Sequence, residues 1–265
     1  MTSHTPAPLW TVDRAASPVL ATALHDGTYV RKSLEPYLAL TAAQRLREED
    51  PYTSSIIASV PNRIVVHRSR FEVDLNRSRD EAVYVRPEQA WGLQVWRKEL
   101  SRELISESLV LHDEYYEMLA STLKSMERSC GRFVVLDVHS YNHRRSGPDQ
   151  ATDQRKAPDV NIGTFSMNRE RWAHIVDPLV EHFRSFTADG KPLDVRENVA
   201  FQGRGEQTRF IHERFPASGC AIAVEFKKIF MDEWTGQPND AVLSDLRNAV
   251  GAAIPLLQEI LERHA

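Results

Sequence analysis

Cysteine is scarce in this chain: 265 residues hold only Cys130 and Cys220. Two cysteines make no disulfide framework, and each precedes a strand-like run, so the expectation is a pair of buried thiols in a reducing cytoplasm. No apolar run approaches the roughly 20 residues that a membrane helix needs. The first 17 residues are polar, rich in Pro, Ser and Thr, and lack the apolar centre of a signal peptide. A basic excess is missing too: the net charge is -4, which argues against a dedicated nucleic-acid binder. No repeat shows at periods of 20 to 50 residues, which argues against solenoids and propellers. The absence of a Gly-x-Ser-x-Gly elbow argues against a triad serine hydrolase.

What is present is ordinary in amount and ordered in pattern. A hydrophobic fraction of 42% with 26% charged residues is that of a soluble globular protein. Val19 to Leu24 reads as a strand stopping at His25-Asp26-Gly27. Thr41 reads as the N-cap of a short helix that ends at Glu48-Glu49-Asp50, before Pro51. Arg63 to His67 is a second strand, which Phe71 to Leu75 continues or flanks. From Glu99 to Met126, Leu100, Leu104, Leu111, Tyr115, Leu119 and Leu123 recur at helical spacing. Phe133 to Val138 is nearly all apolar, as a strand covered on both faces would be. Arg171 to Phe186 reads as a helix interrupted at Pro178, Ala221 to Phe226 as another buried strand, and Asp240 to Arg263 as an amphipathic closing helix. Strands alternating with helices predict a three-layer α/β fold with a mixed, largely parallel sheet flanked by helices. No linker-like stretch divides it, so the expected organisation is an N-terminal extension (1–17) and a single domain (18–265).

The chemistry collects at strand ends. His139 follows the apolar run Phe133 to Val138, and ligands of open α/β sheets bind at the carboxyl ends of strands. His25 ends a strand as well, so two imidazoles can converge on one ion if their strands are neighbours. Catalytic zinc commonly takes two His and a carboxylate and keeps a fourth position for water. Glu225 ends Ala221 to Val224; a carboxylate leaving so apolar a strand is costly without a partner or a role, the bland alternative being an ion pair with Lys227 or Lys228. Five arginines lie between Arg63 and Arg79, a cluster suited to a small anionic ligand. Arg77 offers the planar fork that binds carboxylates, Asn76 beside it can donate another hydrogen bond, and Asp74 is suited to brace a metal-ligating imidazole from behind. His112, on a helix face with Tyr115 and Tyr116, reads as a packed structural histidine.

Taken together, His139-Ser140-Tyr141, Val73-Asp74-Leu75-Asn76-Arg77 and Glu225 resemble the zinc carboxypeptidase superfamily. Adding His25-x-Gly27, Ser69-Arg70, His112 with Tyr115, Asp137-x-His139-Ser140, Pro158-Asp159-x-x-x-Gly163-Thr164, Asn198 to Gly203 and Met231-Asp232 makes the chain more similar to the N-formylglutamate amidohydrolase family, from about residue 18 to 235. The resemblance implies a zinc-carboxypeptidase-like fold and one zinc ion held by His25, His139 and a carboxylate. It also implies Glu225 as general base, Arg70 polarising the scissile carbonyl, and Asn76 with Arg77 gripping the carboxylate of a small anionic acyl-amino acid. Two departures stand out. Thr28 occupies the place of the glutamate in the carboxypeptidase His-x-x-Glu. The downstream acidic run must then supply the third ligand, with Asp50 first and Glu49 next. Where the family tends to a Gly-Gly pair, this chain has Phe201-Gln202-Gly203-Arg204-Gly205. Three functions are open at this point: an N-formyl or N-acyl amino acid amidohydrolase, a carboxypeptidase-type peptidase, and a non-catalytic module that binds an acidic metabolite.

Overall fold

The elements expected from periodicity form with boundaries shifted by a few residues. The computed structural model describes residues 8–264. In chain order these are β1 (Trp10–Asp13), β2 (Val19–Ala23), α1 (Ala42–Glu48), α2 (Thr53–Ile56), β3 (Asn62–Val66), α3 (Arg102–Cys130), β4 (Phe133–Tyr141), β5 (Val160–Gly163), α4 (Ala173–Arg184), β6 (Thr187–Ala188), β7 (Lys191–Pro192), β8 (Val195–Glu197), α5 (Glu206–Arg214), β9 (Gly219–Lys227) and α6 (Asp240–Arg263). Helix α1 starts where Thr41 predicts. Its hydroxyl accepts from Gln44 N–H at 3.2 Å while the Gln44 side chain accepts from Thr41 N–H at 2.9 Å, which satisfies two orphan donors at once. Helix α4 runs unbroken through Pro178, held by a buried stripe of Ile175, Val176, Leu179, Val180 and Phe183 on both sides of it.

Seven strands form one sheet in the order β1-β3-β2-β4-β9-β5-β8. Its centre, β3-β2-β4-β9, is parallel, while β1 and the β5–β8 pair run against it. The mixed, largely parallel sheet with flanking helices is therefore the expected one. The segment 1–17, expected to be an extension, contributes Trp10–Asp13 to the sheet edge against β3; residues 1–7 lie outside the described residues. Phe71 to Leu75 is not a strand. Turn bonds from the Glu72 and Val73 N–H groups to the Ser69 carbonyl curl it, because its apolar residues serve two different cores: Phe71 packs with Tyr84 and Trp96, Val73 and Leu75 with Tyr115 and Leu119.

The pleat of β4 sorts its side chains by parity. Val134, Leu136 and Val138 join the core under α4 and α6, whereas Phe133 and Val135 join the core under α3 and α5. All nine residues of β4 and all nine of β9 are buried, as a strand covered on both faces requires. A third cluster, built from Val30, Leu34, Phe71, Tyr84, Trp96 and others between residues 30 and 100, has no long helix or strand of its own. Among the described residues no helix is long and apolar enough to cross a membrane.

Candidate active site

Parallel pairing puts the ends of β2, β4 and β9 at one edge of the sheet, and register does the rest. His139 lies directly opposite Glu225 across β4 and β9, and Thr22 opposite Asp137 across β2 and β4. His25 leaves the end of β2 three residues later. Gly27 turns the chain there against β3, so closely that a Cβ would overlap the His67 backbone.

Both imidazoles turn Nδ1 toward one carboxylate oxygen. His25 Nδ1 is 3.3 Å and His139 Nδ1 3.1 Å from Asp50 Oδ2, and one donor atom from each of His25, Asp50 and His139 lies within 4.8 Å of the others. The far nitrogens are braced as well: His25 Nε2 by Asp74 Oδ1 at 2.8 Å, His139 Nε2 by Asp137 Oδ1 at 3.1 Å and by the Asn76 carboxamide at 3.3 Å. Such outer carboxylates fix the tautomer and raise the basicity of a ligating imidazole. Ser140 Oγ donates to the other oxygen of Asp50 at 3.3 Å.

Asp50 reaches this position because its segment is anchored on both sides. Its N–H donates to the His25 carbonyl at 2.8 Å. The ammonium of Lys228, fully buried, donates to the carbonyls of Arg47 and Glu49 at 2.6 and 2.7 Å, and burial pushes its pKa down to about 8. Glu49, the second ligand candidate, lies outside the group. It is buried against Ser69 Oγ, and burial raises its pKa to about 7.

Carboxylates and imidazoles set one another's charge here. Burial opposes a charge on His139, yet Asp137, Asp50 and Glu225 around it hold its pKa well above the usual imidazole value. Burial likewise opposes charge on Asp50 and Asp74. The two histidines nevertheless hold Asp50 far below the carboxylate range, and Arg70 and His25 do the same for Asp74. Arg70 bonds Asp74 Oδ2 at 2.8 Å and the Tyr84 hydroxyl at 3.2 Å, and Tyr84 also donates to Asp74.

Glu225 is the exception. Among the described residues no side chain or backbone group hydrogen-bonds or ion-pairs with its carboxylate. The lysines that follow are engaged elsewhere, Lys227 with Asp159 and Gln154, Lys228 with the carbonyls before Asp50. Burial therefore raises its pKa to about 7, with Asp50 and Asp137 adding to the rise and His139 and Arg70 countering it.

Two cavities meet at Glu225. One, about 120 Å³, contains His25, Asp50, Arg70 and His139, with Trp91 and Arg145 among its walls. The other, about 450 Å³, is lined by Arg77, Arg204 and the loop from Ala200 to Gly205. Asn76, Phe201 and Glu225 line both. All the predicted site residues except Glu49 thus border these cavities or brace a residue that does. Arg77 stands apart from the histidines, its backbone carbonyl accepting from His112 Nε2 at 3.0 Å. The sequence reading assigns no role to Asp137, Tyr84 or Lys228. The spacing of Asp137 and His139 held the signal for the first, since residues two apart share a strand face.

The model of the N-formylglutamate amidohydrolase family matches residues 17–231. The chain belongs to that family. Membership identifies it as an amidohydrolase and agrees with the extent of the sequence resemblance. No curated protein matches. Among solved structures, an N-formylglutamate amidohydrolase from Ralstonia eutropha JMP134 superposes with TM-score 0.77 at 15% identity, over 97% of this chain and 99% of that one. A gene product of Agrobacterium tumefaciens follows, with TM-score 0.59 at 17% identity, over 97% and 94%. At these identities the likeness is one of fold. The residues present fit a metal: two imidazole nitrogens and a carboxylate oxygen, buried, convergent and backed by further carboxylates, are a donor set of the zinc type.

Proposed function

We propose that this protein hydrolyses the amide bond of an N-formyl or other short N-acyl amino acid, with one zinc ion held by His25, His139 and Asp50. The observation that carries this reading is the convergence of both Nδ1 atoms on Asp50 beside a buried carboxylate, Glu225, that has no partner. Zinc bound there would supply Lewis-acid activation of water and of the amide carbonyl.

The residues of the chain do the rest. Glu225 takes a proton from the attacking water on a carboxylate oxygen and returns it to the leaving amine. Burial lifts the Glu225 pKa above the usual carboxylate range, toward the value that both transfers need near neutral pH. Arg70, fixed by Asp74 and Tyr84, places a guanidinium in the same cavity for the developing oxyanion. Asn76 and Arg77 hold the α-carboxylate in the larger cavity and so carry the scissile bond to Glu225. The small volume on the histidine side supports a formyl-sized acyl group.

The experiment is metal analysis joined to a substrate panel. Purified protein should carry about one zinc per chain and hydrolyse N-formyl-L-glutamate or a related N-formyl amino acid, with chelation removing both metal and activity. Protein that binds no zinc, or zinc-loaded protein inert toward every N-formyl and N-acyl amino acid offered, would overturn the reading.

A further inference from the structure

Four arginines line the two cavities, and they differ in what already occupies them. Arg70 is bonded to Asp74, and Arg145 makes a two-pronged pair with the buried Glu48 at 3.0 and 2.8 Å. Releasing either would leave a carboxylate buried without its cation, which is costly. Arg77 gives one hydrogen bond to the Gln89 carbonyl, and its nearest carboxylate, Asp74, is 3.9 Å away. Arg204 has neither a hydrogen bond nor a carboxylate partner among the described residues. Its guanidinium carbon sits over the Phe165 ring, 3.7 Å from the centroid. Stacking uses the face of the guanidinium and leaves its in-plane N–H donors free at the edge.

The backbone on both sides of Arg204 is clamped. Gly203, at φ +71°, meets the end of β5, where a Cβ would overlap the Gly163 backbone. A Cβ on Gly205 would overlap the Asn76 carboxamide. Thr208 Oγ1 donates to the carbonyls of Gly203 and Gly205 at 3.2 and 3.0 Å. Phe165 N–H donates to the Gln202 carbonyl at 2.8 Å, and buried Asn161 spends its side chain on residues 199–201, accepting from the N–H groups of Val199 and Ala200 and donating to the Phe201 carbonyl. Arg204 is therefore held by a clamped loop and lines the same 450 Å³ cavity as Asn76 and Arg77, the residues assigned to the α-carboxylate.

The geometry points to Arg204 as the residue that reads a second negative charge on the substrate, the side-chain carboxylate of an acidic N-acyl amino acid. The inference rests on the proposed function for the identity of the first carboxylate and of the scissile bond. It assigns discrimination to one guanidinium at the loop where Gly203-Arg204-Gly205 departs from the family's Gly-Gly pattern.

The test compares N-formyl-L-glutamate with N-formyl-L-glutamine, which has nearly the same shape but no side-chain charge, on zinc-loaded wild type and Arg204→Ala. One charge-assisted hydrogen bond corresponds to roughly 10- to 100-fold. The expectation is that Arg204→Ala raises KM for formylglutamate by about that factor, leaves kcat within about threefold, and leaves formylglutamine within about twofold, with Arg204→Lys recovering part of the loss. Equal effects on both substrates overturn the assignment. If wild type turns over neither, the hydrolase reading fails by itself. Calorimetric Kd values of the same two compounds then decide Arg204: a preference for formylglutamate that disappears in Arg204→Ala upholds it, and equal binding or none overturns it.

Discussion

On one side of Glu225, His25, His139 and Asp50 are each held by at least two polar partners. On the other, Arg77 and Arg204 have donors to spare. Under the proposed function the difference separates two kinds of work. A metal would need ligands locked in one geometry before it arrives, which a saturated, buried histidine side provides. A substrate would bring its own acceptors, for which the arginine side keeps its capacity open. Glu225 borders both sides with its carboxylate unpaired, as a proton carrier would have to be.

Substitutions on the two sides should therefore fail differently. The largest effect is expected on the boundary: Glu225→Gln should lower kcat by about a thousandfold with zinc content unchanged. Retained turnover would remove Glu225 from the chemistry. Next, Asp50→Asn should weaken zinc binding by more than the roughly 10- to 100-fold expected for the outer partner variant Asp74→Asn, as measured by competition with a chelator. Equal losses would show that Asp50 braces the site instead of holding the metal. Across the boundary, Arg77→Ala should raise KM for a carboxylate substrate by roughly 10- to 100-fold and spare both metal content and kcat; lost metal there would erase the distinction between the two sides. Glu225 accepts a proton only when ionised, so kcat should fall as pH drops through its pKa, about 7 and lower with a cation bound. An acidic limb that survives in the residual activity of Glu225→Gln would assign that titration to another group. The smallest effect is expected far from both: Thr41→Ala removes the α1 capping box and should cost about 1 kcal/mol in urea unfolding. A change in zinc affinity there would show that the cap also positions the Glu48–Asp50 turn.

Much of this was legible from local pattern. The boundaries of α6 were read to the residue, because an amphipathic stripe from Leu243 to Leu261 is a local property. The apolar runs that lead to His25, His139 and Glu225 were legible for the same reason, although β4 and β9 continue two residues past His139 and Glu225. Phe71 to Leu75 misled, because apolar residues at every second position do not say that they belong to two separate cores, nor that Glu72 and Asp74 between them are buried against arginines.

What the chain determined by itself was the set of elements and the donor chemistry at their ends, both written in spacing and side-chain type. The tertiary structure decided which donors meet. Asp50 and Glu49 are adjacent and both buried, yet only Asp50 joins the histidines, because Lys228 and Arg70, from distant segments, grip the carbonyls of residues 47–49 and turn one carboxylate in and the other toward Ser69. Glu225 comes opposite His139 through the register of β4 and β9, and its carboxylate stays unpaired in its burial. Those are relations between segments far apart in the chain, which no local pattern encodes.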